Sequence, residues 1–397
     1  MNEVYIVDAV RTAIGSFGGT LSCKSSVELG QIVAKAILEK NSLKGEEIDD
    51  VIMGNVLQAG QGQNVARQIA IKANIPEDKT AMTINMVCGS GLRAIALADQ
   101  SIRVGSADLV LAGGVESMSN APYLLTKARY GYNMGNGTIV DSMVNDGLWD
   151  IFNNYHMGVT AENLASKYII SREEQDAFAC ESQNKAETAI KNGKFEQEIV
   201  PITIPQRKGD PIIFKQDEYV RFGATKEALA KLRPAFKEAG TVTAGNSSGI
   251  NDGAACALLA GKKALDKYKL KPIAKIVSYA YVGVDPSVMG FGPVNAVRKA
   301  IANAGWDIND IDLIEANEAF AAQALSVMKE LKFNKELVNV NGGSIALGHP
   351  IGASGARILT TLLHEMKRRK ARKGLVTLCI GGGMGIALCV DTSCLTC

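Results

Sequence analysis

Ser90-Gly91-Leu92-Arg93 returns 264 residues later as Ser354-Gly355-Ala356-Arg357. Alone, a four-residue match is noise, but its surroundings repeat too. Upstream, Ile52-Met-Gly-Asn55 is echoed by Ile314-Glu-Ala-Asn317, 262 residues apart. Each Ser-Gly opens a helical pattern. Leu92, Ile95, Ala98 and Ile102 mark one helix, alanine-rich enough to be buried on most sides; Leu359, Leu362, Leu363 and Met366 form an i, i+3, i+4, i+7 stripe on the other. Each helix runs into a short apolar strand that ends in glycine, Asp108-Leu-Val-Leu-Ala-Gly-Gly114 and Lys373-Gly-Leu-Val-Thr-Leu-Cys-Ile-Gly-Gly-Gly383. Alternating strands and helices make a layered α/β fold. The repeated order makes two homologous halves, with an active site expected between them.

Residues 120–250 have no counterpart in this register and read as an insertion. The segment carries loops (Tyr130 to Asn136), a polar stretch, and a helix that starts at Ser171-Arg-Glu-Glu174 with capping-box spacing and stops near Asn192-Gly193. Loop-rich insertions on an α/β core commonly bind substrate.

Composition narrows the function classes. The chain has 397 residues, 47% of them apolar, and a formal net charge of +2. That balance favours neither nucleic acid nor a membrane surface as partner. The N-terminus lacks signal-peptide form and no run suits a membrane span, so a soluble cytoplasmic protein is expected. The basic run Lys367-Arg-Arg-Lys-Ala-Arg-Lys373 reads as a solvated helix end. Eight scattered cysteines do not read as a disulfide framework. The close pair Cys394 and Cys397 lacks the further ligands of a zinc site and reads as part of an unstructured tail.

Three positions carry chemistry. Cys88, in Val87-Cys-Gly-Ser-Gly91, follows a β-like run (Met82 to Val87) and precedes the first repeated helix. There the helix dipole and free N–H groups favour a thiolate, and Gly89 and Gly91 open the sulfur to a ligand. The motif fits a buried structural cysteine equally well. His349, one of three histidines, lies in the glycine-dense run Asn341 to Gly355, just before the second repeated helix. If a pseudo-dyad relates the halves, the two helix N-termini converge and bring base to nucleophile; a capping histidine is the alternative. Cys379 ends a strand at Gly381-Gly-Gly383, where a buried thiol is the default and the glycine amides allow close approach of a ligand.

The sequence resembles the thiolase family from end to end. The motifs are Arg11-Thr-Ala-Ile-Gly15, Asn85-Met-Val-Cys88-Gly-Ser-Gly91, Ala112-Gly-Gly-Val-Glu-Ser-Met118-Ser119, Asn317-Glu-Ala-Phe320, Gly348-His-Pro350 and Cys379-Ile-Gly-Gly-Gly383, in family order and spacing. His156-Met157 resembles the short-chain, biosynthetic acetyl-CoA acetyltransferase branch. The resemblance implies a duplicated core of two βαβαβαββ-type halves in layers α-β-α-β-α. Its parts are residues 1–119 and 251–270 (N-terminal half), 120–250 (inserted loop domain) and 271–397 (C-terminal half).

It also implies reversible Claisen condensation of two acetyl-CoA to acetoacetyl-CoA and CoA. Cys88 is the acylated nucleophile, and His349 lowers its pKa. Cys379 is the acid/base. Asn317 holds a water that, with His349, stabilises one thioester oxygen, while the amides of Cys88 and Gly381 stabilise the other. CoA contacts fall on Leu148, His156, Met157, Arg221, Ala244, Ser248, Met289, Ala319 and Phe320, and Ala228 departs from a serine frequent in the family. No cofactor or metal is expected, and a homotetramer with contacts around residues 120–140 is. A longer-chain 3-ketoacyl-CoA thiolase is the nearest alternative. A decarboxylating ketoacyl synthase is further off, because it has no need of a second thiol. Two thiols serving one acyl carbon are also expected to lie close enough for a disulfide on oxidation.

Overall fold

The computed structural model describes residues 2–393; the Cys394/Cys397 pair lies outside them. In chain order the principal strands are β1 (Val4–Thr12), β2 (Asp50–Gly54), β3 (Thr80–Ile84), β4 (Leu109–Ser117), β5 (Asn251–Gly261), β6 (Ala274–Gly283), β7 (Leu313–Ala316), β8 (Lys373–Ile380) and β9 (Met384–Asp391). The helices that matter below are α1 (Ser26–Lys40), α2 (Ser90–Arg103), α3 (Met157–Tyr168), α4 (Arg172–Lys191), α5 (Gly292–Ala304), α6 (Ala321–Leu331) and α7 (Ser354–Arg369).

Hydrogen bonding runs in the order β7-β8-β9-β6-β1-β5-β4-β2-β3. The path divides into two matching sets. β2, β4, β5 and β1 pair parallel, antiparallel, antiparallel, and so do β7, β8, β9 and β6. Val338 bridges Ile314 in parallel on the far side of β7, where β3 stands beside β2 in the other half. Among the described residues the halves join edge to edge at Tyr5↔Lys275 and Ile6↔Ala274.

Period-two alternation distributes each strand between two layers. Leu109 and Leu111 of β4 pack with Leu29, Val33 and Ile37 of α1, whereas Val110 and Ala112 face Leu92, Ile95 and Leu359. Leu375 of β8 packs with Val294 and Val297 of α5 and Val327 of α6, whereas Val376, Leu378 and Ile380 face the same central cluster. The layers are therefore α-β-α-β-α, with α2 and α7 in the middle.

An apolar stripe implies a helix with a wet face, but every residue of α7 from Ser354 to Met366 is buried, including Arg357, His364 and Glu365. A helix between two sheets has no solvent side. α2 and α7 cross at their repeated glycines. A Cβ on Gly91 would stand 2.9 Å from the Ala356 nitrogen, and one on Gly355 would press on the Leu92 nitrogen. The Ser-Gly repeat is thus a point of close backbone approach between the two central helices.

The basic run takes the helix end, with Lys370 at the α7 C-cap and Arg368 and Arg369 each 2.6 Å from Glu365. Helix α4 begins at the Ser171 capping box and ends at Asn192. Among the described residues no helix is long and apolar enough to cross a membrane.

Candidate active site

Strand β3 ends at Ile84, short of the expected Val87. The chain then bends sharply, with Val87 at φ 44°, a left-handed conformation unusual for a β-branched residue. Ser90 ties the bend, accepting from Met86 N at 2.8 Å and donating to Val87 O at 2.6 Å. Cys88 rides on this elbow, and Gly89 lies so close to Ile380 that a Cβ would overlap its side chain. The elbow of one half therefore sits on the end of β8 from the other. Beyond Ile380, Gly382 and Gly383 turn into β9 at φ 83° and 84°, conformations that glycine adopts without strain.

Cys88 is buried. Burial pushes its thiol up to about 11, against the pull of the Gly381 amide and its own, with Glu116 adding to the rise. The helix N-terminus was expected to favour a thiolate; in the resting site burial outweighs it. Cys379 is fully buried, and its thiol is pushed well above the ordinary range by burial and then by Cys88. Both thiols are free.

His349 is buried and held down to about 3, by burial first and the Arg357 charge second, so it rests as neutral imidazole. Its amide donates to Asn251 Oδ1 at 2.8 Å, and Gly348 takes φ 106° against that same side chain. Nδ1 lies 2.6 Å from Ser354 Oγ, which also lies 2.9 Å from Pro350 O. Only one assignment satisfies both bonds: the hydroxyl donates to the carbonyl and accepts from Nδ1–H. Nε2 is left as the basic nitrogen, buried and without a protein partner among the described residues.

Asn317 follows β7 as Asn55 follows β2. Asn55 Nδ2 is bound to Glu116 at 2.7 Å, but Asn317 Nδ2 is a second buried group without a partner among the described residues. A buried amide hydrogen and a buried imidazole nitrogen left open are costly unless something else binds there.

A cavity of about 450 Å³ opens over Cys88 and His349. Leu148, His156, Met157, Ala244, Ser248, Met289, Ala319 and Phe320 line it. Cys379, Gly381, Asn317 and Arg221 do not. Cys379 lies behind the wall, packed with Met157, Met289, Ala319 and Phe320. Arg221 is exposed, its guanidinium 5.7 Å above the ring of Tyr219, a lining residue. Ala228 is exposed on the short helix Lys226–Ala230.

His156 caps α3, its Nδ1 accepting from Gly158 N at 3.0 Å, and stacks on Phe236 at 4.6 Å. Burial lowers its pKa, so the neutral ring carries its hydrogen on Nε2, a donor on the cavity wall. Ser248 N binds Ala319 O at 2.9 Å and Ser247 pairs with Phe320, lacing the 120–250 segment to the residues after Asn317.

The sequence reading missed Phe236, Tyr219, Met118 and Ile351 on the wall, and Asn251 beneath His349. Phe236 and Tyr219 carry no local signal. Asn251 was open to notice because it begins, with Asp252, an otherwise small and apolar strand.

The family models "Thiolase, N-terminal domain" and "Thiolase, C-terminal domain" match residues 4–263 and 270–392. The chain is 61% identical to an acetyl-CoA acetyltransferase of Chromobacterium violaceum, covering 98% of this chain and 99% of that one. It is 58% identical to one of Cupriavidus necator, covering 98% and 100%. Among solved structures, the Bacillus anthracis acetyl-CoA acetyltransferase superposes at TM-score 0.96 with 45% identity, over 98% and 99% of the chains. Human mitochondrial 3-ketoacyl-CoA thiolase in complex with CoA superposes at 0.95 with 43% identity, over 99% and 98%. By sequence match and by fold, this chain belongs to the thiolase family.

Proposed function

We propose that this chain is an acetyl-CoA C-acetyltransferase, condensing two acetyl-CoA to acetoacetyl-CoA and CoA and running the reverse thiolysis, through an acetyl-Cys88 intermediate. One observation supports this most: Cys88 sits on the cavity floor within reach of the Gly381 amide, against Cys379 and beside a neutral His349.

His349 Nε2 takes the Cys88 proton as the sulfur attacks the acetyl carbonyl. The tetrahedral oxyanion is held by the Cys88 and Gly381 amides, donors whose individual loss typically costs about 10²–10³ in rate. The CoA thiolate leaves and takes the Cys379 proton, giving CoASH and a Cys379 thiolate. That thiolate removes an α-proton from a second acetyl-CoA, whose carbonyl oxygen is held through the open Asn317 Nδ2 and His349 groups. The carbanion attacks acetyl-Cys88, Cys88 leaves as thiolate, and His349 returns its proton.

The thiol Cys379 favours this chemistry over a decarboxylating synthase. The buried Met157, Met289 and Phe320 around the cavity favour a short acyl group over a long one. Two thiols that must stay reduced suit the cytoplasm. The exposed Tyr130 and Met134 (91% and 98%) suit a tetramer contact in the 120–140 segment.

With labelled acetyl-CoA and no malonyl donor, Cys88→Ala is expected to carry no label, while Cys379→Ala acetylates but fails to condense. Equal acetylation of the two variants, or no condensation by the parent enzyme, overturns the reading. Comparing acetoacetyl-CoA with longer 3-ketoacyl-CoA substrates fixes the chain length, and sedimentation fixes the subunit number.

A further inference from the structure

Arg357 lies in the central layer, 1% exposed. Its Nη2 donates to Ser344 Oγ at 2.7 Å, Nη1 is 3.8 Å from Glu315 Oε2, and neither Nε nor Nη1 has a hydrogen-bond partner among the described residues. A guanidinium carries donors only. Ser344 must therefore accept from it and direct its single hydrogen to its other neighbour, Asn317 Oδ1, 2.6 Å away. This settles which end of the Asn317 amide is which: oxygen toward Ser344, NH2 toward the side without a protein partner.

At 3.8 Å Glu315 makes no close ion pair with Arg357, and burial acts against both charges, lowering the guanidinium pKa from its ordinary value. Burial pushes the Glu315 carboxyl up to about 8 despite Arg357, with Glu198, Glu318 and Glu365 adding to the rise, while a guanidinium keeps its proton. Of the two repeated helices, only α7 carries a fully buried cation at this place. Arg93, at the matching place in α2, is only partly buried and lies 4.0 Å from the Tyr281 ring.

We propose that Arg357 is a positioning residue for the reaction: through Ser344 it locks the Asn317 amide with its NH2 toward the reacting carbonyl and polarises it as a donor. Hydrogen bonds in a chain strengthen one another, more so where the first donor is charged. The inference rests on the role given to Asn317 above.

Ser344→Ala breaks the relay and leaves both ends in place. In acetoacetyl-CoA thiolysis kcat is expected to fall about 10- to 100-fold, as when a group orienting a reacting ligand is lost, with KM nearly unchanged. Ser344→Thr, which keeps the hydroxyl, restores most of the rate. Arg357→Lys, which keeps the charge, loses less than Arg357→Met. The double variant Ser344→Ala/Asn317→Ala is no slower than Asn317→Ala alone. Full kcat in Ser344→Ala, or losses that multiply in the double variant, overturns the relay while the role of Asn317 stands. Full kcat in Asn317→Ala overturns that role instead. If Arg357→Met does not fold, the Ser344 variants carry the test.

Discussion

Replacing Ser354 by alanine takes from His349 the acceptor that sets its tautomer. In the folded site Nδ1–H points to Ser354 Oγ at 2.6 Å, both groups buried. When His349 takes the Cys88 proton this bond becomes charge-assisted, worth about 1.5–3 kcal/mol. At about 1.36 kcal/mol per tenfold in rate, its loss predicts a fall in kcat of roughly 10- to 160-fold. KM should barely move, because Ser354 does not line the cavity. The small side-chain change leaves α7 in place, and unfolding by denaturant checks that. Steady-state thiolysis of acetoacetyl-CoA is the assay, with His349→Ala as reference. A Ser354→Ala enzyme within twofold of the parent, beside an inactive His349→Ala, refutes the tautomer argument. A matched fall in kcat and in the folded fraction refutes it too.

Gly355→Ala should destabilise the chain by about 1–3 kcal/mol or more, because its Cβ meets the Leu92 backbone where backbone cannot yield; denaturant midpoints at constant m-value measure this. Because burial holds the Cys88 thiol up to about 11, its thiolate fraction in the free enzyme grows tenfold per pH unit through neutrality. Iodoacetamide labelling of Cys88 should then keep rising from pH 7 to pH 9.5 or so, and a plateau below pH 8 would show that His349 ionises it before substrate binds. Mild oxidation of the substrate-free enzyme should join Cys88 to Cys379, the two thiols giving up two electrons and two protons to the oxidant; peptide mapping without that crosslink removes the idea.

The Ser-Gly repeat was readable because it is a backbone requirement. The backbones of two buried helices can meet only where a side chain is missing, and the order of strand, helix and glycine turn follows from local pattern. Cys88, His349 and Cys379 were marked as candidates for a related reason, and the family resemblance supplied their roles. Each stands at a glycine-rich bend, where a reactive group has room. The site's electrostatics were not legible. A helix N-terminus in the sequence suggested a stabilised thiolate, yet burial dominates, and burial depends on Ile380 and the far half closing over the elbow.

The sequence by itself determined the duplication and the layered α/β type, since these follow from period and glycine placement along the chain, and it marked Cys88, His349 and Cys379 as candidates whose roles the family resemblance implied. The tertiary structure alone decided that α7 has no wet face, that Ser354 assigns the His349 tautomer and that Ser344 and Arg357 orient Asn317. Those are properties of partners far apart in the chain, and no local pattern records which buried donor meets which acceptor.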